Sequence, residues 1–275
     1  MVYFLLSVSL LVSLLIIRIS LGNVAGIAKI DLGFSKTTGK RQVNADKMDW
    51  AYYDEQLLLA ISDGIGSGDK AIKAAEIAVH LISRTFEQTG GGGNPAYFFM
   101  NCFKSINSTI LRYMPDSKAG ASLLSVIIKD KLLYYALAGN CKVLVFRKKK
   151  LYNLSEGQTF DVLVRRAFQR KKITRLDALE AVKESRLYNF VGKDGFRDLE
   201  MFDTPVSLIK GDIVLLMTDG VFDFCDNLEI ERILIKKHRW SSGKAIARTI
   251  IDNLDKKDHL EQDNATVIVA KINAI

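Results

Sequence analysis

Two short apolar runs, LLLAIS at residues 57–62 and IVLLM at 213–217, each lead within one residue into Asp-Gly. Runs of five or six apolar residues suit a strand better than a helix, and without polar alternation they read as buried strands. A chain that carries two of them must cover its sheet structure with other elements. The acidic residues that follow, Asp63 and Asp219, then stand at strand ends, where side chains are held rigidly.

The covering elements can be read from periodicity. Residues 69–88 place Ile72, Ala75, Val79, Ile82 and Phe86 at three/four spacing, and residues 97–113 repeat the pattern with Phe99, Cys102, Ile106 and Ile110; both predict amphipathic helices. Strand character occurs at 27–34, 50–53 and 57–62, which suggests one sheet built early. From Ala121 the pattern becomes SLLSVII, LLYYALA, KVLVF and LYNL, separated by the turns KDK, GNC and RKKK. This predicts an antiparallel meander forming a second sheet. Residues 158–169 and 175–184 read as a polar helical insertion, 228–237 and 243–254 as helices, and 266–272 as a closing strand. Segregated helices and strands, rather than strict alternation, indicate an α+β architecture.

The first 17 residues contain no charge, and Arg18 closes the run. A span of the bilayer takes about 20 residues, so the run predicts a marginal single-pass anchor over residues 1–23, with one domain over 24–275. A cleaved signal peptide is the rival, although no basic residue precedes the apolar stretch. Arg18 and Lys29 follow it, which by the positive-inside rule places the domain in the cytoplasm. Cys102, Cys141 and Cys225 lie far apart without a CxxC pair, as expected of buried thiols in a reducing compartment. The net charge of +8 thickens at 147–150 and 165–172. No nucleic-acid motif accompanies it, so it reads as solvated surface suited to anionic partners rather than as a nucleic-acid patch.

A third acid, Asp263, precedes the last strand in QDNATVIV. One Asp-Gly is ordinarily a turn. Three acids in order beside buried strands, with no nearby histidine, instead describe an all-oxygen site for hard cations such as Mg²⁺ or Mn²⁺. His80, His238 and His259 share no ligand spacing, and 90–93 lacks the Lys-Ser/Thr of a nucleotide loop, so it reads as a flexible connector.

Taken together, GKRQVNAD, ISDGIGSG, GASLLSVII, ALAGNCKVLVFR, MTDGVFD and QDNATVIV resemble, in order, the motifs of metal-dependent protein serine/threonine phosphatases of the 2C type, bacterial forms included. The resemblance covers residues 27–272. It implies two antiparallel sheets packed as a sandwich, flanked by helices on both sides. It implies hydrolysis of phosphoserine and phosphothreonine in protein substrates by a monomeric catalytic domain with two Mn²⁺ or Mg²⁺ ions and no covalent phosphoenzyme. By the same resemblance Asp63 bridges the ions, the Gly64 carbonyl joins one, Asp219 and Asp263 complete the other, Asp46 holds water, and Arg41 clamps the phosphate. Asp223 would serve an accessory third ion. Ala45 and Asn140 depart from the pattern, each standing where the family has an acid. The alternative they raise is a weakened pseudophosphatase that binds phosphoproteins.

Overall fold

A computed structural model describes residues 30–115, 118–174, 186–257 and 259–274. The proposed anchor and the 175–184 helix lie outside these residues. Among the described residues, no helix is long and apolar enough to cross a membrane.

The chain opens with β1 (Ile30–Thr37), β2 (Lys47–Tyr53) and β3 (Gln56–Ile65), then α1 (Asp69–Thr89) and α2 (Pro95–Tyr113). There follow β4 (Gly120–Lys129), β5 (Leu132–Ala138), β6 (Lys142–Arg147), β7 (Lys150–Asn153) and α3 (Phe160–Gln169). Short strands β8 (Glu200–Met201) and β9 (Val206–Ser207) lead to β10 (Ile213–Met217). The chain ends with α4 (Asp219–Phe222), α5 (Asn227–Lys237), α6 (Gly243–Asp255) and β11 (Ala265–Ile272). One antiparallel sheet has the order β1-β11-β10-β6-β7; the other runs β2-β3-β4-β5-β8, with β9 also on β5.

The unalternating runs are explained by burial on both faces. In β3, Leu57, Leu59 and Ile61 point between the sheets, while Leu58 and Ala60 meet α1 and α2. In β10, Val214 and Leu216 point between the sheets, while Ile213, Leu215 and Met217 pack under α5 and α6. The result is the expected layering of helices, sheet, sheet, helices.

Two expectations about the sheets are corrected. The early strands do not share one sheet: β1 pairs with β11, and β2 and β3 belong to the other sheet. The meander is split as well, with β4 and β5 in one sheet and β6 and β7 in the other. The chain crosses at residues 139–141, where Gly139 has φ of 122°. A Cβ there would sit 2.2 Å from Ser122 Oγ. This glycine therefore supplies both the conformation and the close passage that the crossing needs. The glycine run after α1 is no loose connector at its start. Gly90 caps α1 at φ 59° and lies so near Tyr53 that a Cβ would come within 2.0 Å of the ring.

The ends of the sandwich are fixed by register. Ile30 pairs with Ile272, and Thr37 with Ala265, so β1 runs from one end of its sheet to the other. Near the Ile30 end, Arg147 forks onto the buried Asp212 through Nε at 2.9 Å and Nη2 at 2.5 Å, and Ile209 N also donates to that carboxylate at 2.8 Å. Arg147→Ala would leave Asp212 buried without its counter-charge. We expect it to cost about 3 kcal/mol or more, read as a lower urea midpoint at unchanged slope.

Candidate functional site

At the end of the sandwich opposite Ile30, four segments converge. Asp63 and Gly64 are the eighth and ninth residues of β3 and still pair with Ser122 and Ala121, so the strand continues through the motif instead of turning before it. Asp219 opens α4 directly after β10, and Asp263 precedes β11. Asp46 ends the link from β1 to β2 and thus joins the two sheets.

The two Asp-Gly glycines are needed for space. A Cβ on Gly64 would lie 2.4 Å from Ala71 O of α1 and 3.1 Å from Ala45 Cβ. One on Gly220 would lie 2.0 Å from Asn264 O. Neither contact tolerates a side chain, and backbone passes closely beside each acid.

Hydrogen bonds fix the acids individually. Asp46 is buried, and its Oδ2 accepts from Thr218 Oγ1 at 2.8 Å, while Thr266 N donates to that same hydroxyl at 2.9 Å. Asp46 Oδ1 is buried with no partner. Asn140 Nδ2 donates to Asp219 Oδ2 at 2.8 Å. Arg41 forks onto Asp263, with Nε to Oδ1 at 2.8 Å and Nη2 to Oδ2 at 2.6 Å, and Asn264 N adds a bond to Oδ1 at 2.7 Å. Asn264 also ties the loop down, its side chain accepting from Ala45 N and donating to Thr38 O and Val43 O.

Charge is concentrated here, with the Arg41 guanidinium on Asp263 as the cation paired with an acid of the cluster among the described residues. Desolvation pushes the Asp46 carboxyl up to about 6, opposed by the Thr218 hydroxyl and reinforced by the charge of Asp219. Burial, then repulsion from Asp219 and Asp46, holds Asp63 well above the carboxylate range. Burial also raises Asp219, against the Asn140 hydrogen bond. Among the described residues no three acidic, histidine or cysteine side chains are already arranged around one ion. The expected ligand set is therefore gathered but not closed. Asp263 and Asp219 take protein donors, Arg41 and Asn140. The donor chemistry nevertheless fits hard divalent cations: the groups are oxygen throughout, Asp46, Asp63 and Asp219 have no ion-pair partner among the described residues, and one buried carboxylate oxygen lacks a partner.

Two hollows open onto the cluster. A cleft of about 430 Å³ is lined by Arg41, Val43, Asp63, Gly64, Ser67 and Asp263, among others. A second, of about 260 Å³, lies on the other side of Asp219, with Asn140, Lys142, Asp161, Arg165 and Asp223 in its wall. Asp223 is exposed along one side. Its carboxyl is pushed up to about 6 by desolvation and then by Asp219.

Sequence reasoning missed Lys142. Its ammonium lies 3.6 Å over the Phe222 ring, lowered by burial, and is close enough to act electrostatically on Asp223. Asn140 Nδ2 is engaged by Asp219 while its Oδ1 is buried with no partner, and the charge of Lys142 acts on Asp223. The signal available was the cation two residues after Asn140, but only the fold aims it at Asp223.

The comparisons follow this geometry. The family model described as Protein phosphatase 2C matches residues 36–256. The serine/threonine phosphatase stp of Listeria innocua is 22% identical over 227 residues, 80% of this chain and 86% of that protein. Among solved structures, the S. agalactiae serine/threonine phosphatase superposes with a TM-score of 0.77 at 16% identity, over 89% of this chain and 100% of that one. The Mycobacterium tuberculosis serine/threonine phosphatase gives 0.72 at 21% identity, over 89% and 99%. These two superpositions share the fold.

The uncompensated charge makes the metal-free protein sensitive to pH. A carboxyl raised from 3.8 to about 6 holds a proton in the folded state that the unfolded chain releases, so stability falls as pH rises through that window. In chelator, thermal unfolding should occur at a higher temperature at pH 5 than at pH 7. At pH 7, Mn²⁺ should raise the midpoint. Asp63→Asn should raise the metal-free midpoint and lose most of the Mn²⁺ increment, both read by scanning calorimetry.

Proposed function

The chain belongs to the protein phosphatase 2C family, whose model covers residues 36–256, and on that premise we propose that it hydrolyses phosphoserine and phosphothreonine in protein substrates. The observation that carries this reading is the convergence of Asp46, Asp63 and Asp219, each raised from its ordinary value by burial, beside an open cleft that also contains Arg41.

Asp63, the Gly64 carbonyl, Asp219 and Asp263 would hold two Mn²⁺ or Mg²⁺ ions. When bound, such ions lower the pKa of water toward about 7 and neutralise charge on phosphoryl oxygens. Asp46 does not need to be a ligand to matter. One of its oxygens is fixed by Thr218 and the other has no protein partner, so it can accept a hydrogen bond from water and orient it.

Arg41 supplies the phosphate-binding fork. Its side chain is 60% exposed, and its Nε and Nη2 donors are spent on Asp263, so an incoming phosphate competes with that carboxylate for the same two bonds. The exchange replaces one anion by another without leaving the guanidinium unpaired. Lys142 and Arg165 add positive charge to the second hollow, next to the acids.

Ala45 is a loss that the surroundings accommodate. Its methyl group fills space against Gly64, and its N–H is taken by Asn264. The acids named above remain together despite that change. This supports catalysis over a phosphoprotein-binding module.

We place the domain on the cytoplasmic side of a membrane, anchored through residues 1–23. The support is the 17 uncharged residues that open the chain and the basic residues Arg18 and Lys29 that follow them.

The test is Mn²⁺-dependent release of phosphate from a phosphothreonine peptide by the full chain in detergent. Asp219→Asn should lower kcat by about a thousandfold, or about 4 kcal/mol. Arg41→Ala should act mainly on KM, lowering kcat/KM by about 10- to 100-fold. A wild-type chain that binds Mn²⁺ yet releases no phosphate would sink the reading.

A further inference from the structure

The end of the sandwich opposite the acids is basic, and the register shows how it is assembled. β1 begins there at Ile30, paired with Ile272, and Phe146 and Lys271 are the neighbours of Ile213. The two-residue turn between β6 and β7 is therefore at this end, and Lys148 and Lys149 occupy its left-handed positions, at φ 51° and 64°. The turn between β4 and β5 joins it. Lys131, at φ 67°, accepts at its carbonyl from Leu208 N at 2.7 Å, and Ser207 O accepts from Arg147. Lys210 follows at once, and Gly211 N reaches Ile272 O at 2.8 Å. The C-terminus of α5 closes the surface, with the His238 ring on Phe146 and Ser241 O accepting from Lys271 at 3.0 Å.

From that last loop Trp240 projects with 92% of its surface exposed, next to Arg239. Ile209, 45% exposed, stands beside Lys210. Lys131, Lys148, Lys149, Lys210 and Arg239 are all exposed, and among the described residues no ion pair engages any of them. Two of the acids near them are engaged, Asp212 by Arg147 and Asp31 by Gly243 N at 2.9 Å. Asp130 and the β2–β3 turn, Asp54 and Glu55, are the exposed remainder.

The chain enters the domain at this same end. Asp31, the second residue of β1, holds Gly243, the first residue of α6, three residues after Trp240. Twelve residues before Ile30 stands Arg18, which closes the uncharged run. An exposed tryptophan flanked by unpaired cations suits a lipid headgroup layer, where its ring sits among headgroups and the cations meet anionic phosphate. We propose that this basic end is a docking surface for an anionic lipid bilayer, with Trp240 as its interfacial anchor. The proposal rests on the anchor reading only for what brings the domain close to the bilayer.

The acids lie about 25 Å away along β11, at roughly 3.3 Å per residue. Docking therefore turns the cleft away from the lipid. The domain would act on phosphoproteins approaching from the aqueous side, with its orientation fixed by the lipid instead of swinging on its link.

Trp50 and Trp240 are the two tryptophans of the chain. Trp50 stacks on Phe34, and Trp50→Phe keeps an aromatic ring there and leaves Trp240 as the sole reporter. The full chain carrying that change is reconstituted into vesicles containing brominated lipid, either pure phosphatidylcholine or with phosphatidylglycerol, and recovered by flotation. In anionic vesicles the Trp240 emission should fall by about half, as expected for a ring at the headgroup boundary. The loss should shrink in phosphatidylcholine, in 1 M salt, and with Lys148→Glu plus Lys149→Glu, while Mn²⁺-dependent phosphatase activity stays as in the parent. A chain that floats with Trp240 unquenched overturns the docking surface and leaves the anchor standing. A chain that floats with neither lipid overturns both. Salt-sensitive retention on duplex DNA without quenching would assign the basic end to nucleic acid and also overturn the proposal.

Discussion

The burial of several carboxylates beside one another is the constraint around which this molecule is organised. Asp46, Asp63 and Asp219 stand at one end of an apolar sandwich, raised by desolvation and by one another. A cluster of that kind opposes folding, and it persists only because the strands that deliver it are held by a core independent of it. β3 and β10 are apolar on both faces, so their ends are set by packing between the sheets and under the helices. The acids are passengers on rigid elements. This is what a site requires if its geometry is to survive the loss of its counter-charge.

Thr218 shows how the strain is managed locally. Its hydroxyl accepts from Thr266 N and donates to Asp46, and its N–H bonds Thr266 O. One side chain thus fixes a carboxylate of the link between the sheets against the two strands that carry Asp219 and Asp263. The neighbouring Asn140 does the same for Asp219. An aspartate at that position would have added a further negative charge. The amide instead donates, and Lys142 supplies a cation two residues later.

The secondary structure was legible where local pattern dictates it. α1 and α2 follow their three/four spacing, and the two-residue hairpins follow their Lys and Asp turn residues. Sheet membership was not legible. Whether β1 pairs with β2 or with β11 depends on contacts more than 200 residues apart, and no periodicity within either strand reports it. The site divides in the same way. Asp63, Asp219 and Asp263 could be read because each adjoins an apolar run. The engagement of Arg41 by Asp263 and the approach of Lys142 to Asp223 could not, since both arise from segments that meet only across the fold. The two Asp-Gly pairs could be recognised from the apolar runs before them, but the contacts for which their glycines make room, at Ala71 O and Asn264 O, come only from the fold.

A net charge of +8 hides a separation that composition cannot express. The acids gather where the strands of both sheets end beside the cleft, and unpaired cations gather at the hairpins of the other end. The antiparallel hairpins produce this division, because each places its turn at one end and its open strand ends at the other. The Lys-rich turns that specify the β4–β5 and β6–β7 registers are therefore the same residues that make one end basic. Folding signals and surface electrostatics are coupled through topology, and a field along the strands is the consequence. An anionic phosphoprotein drawn to the basic end would be drawn away from the catalytic acids. Covering that end with an anionic surface would leave Arg41, Lys142 and Arg165 as the cations facing the substrate.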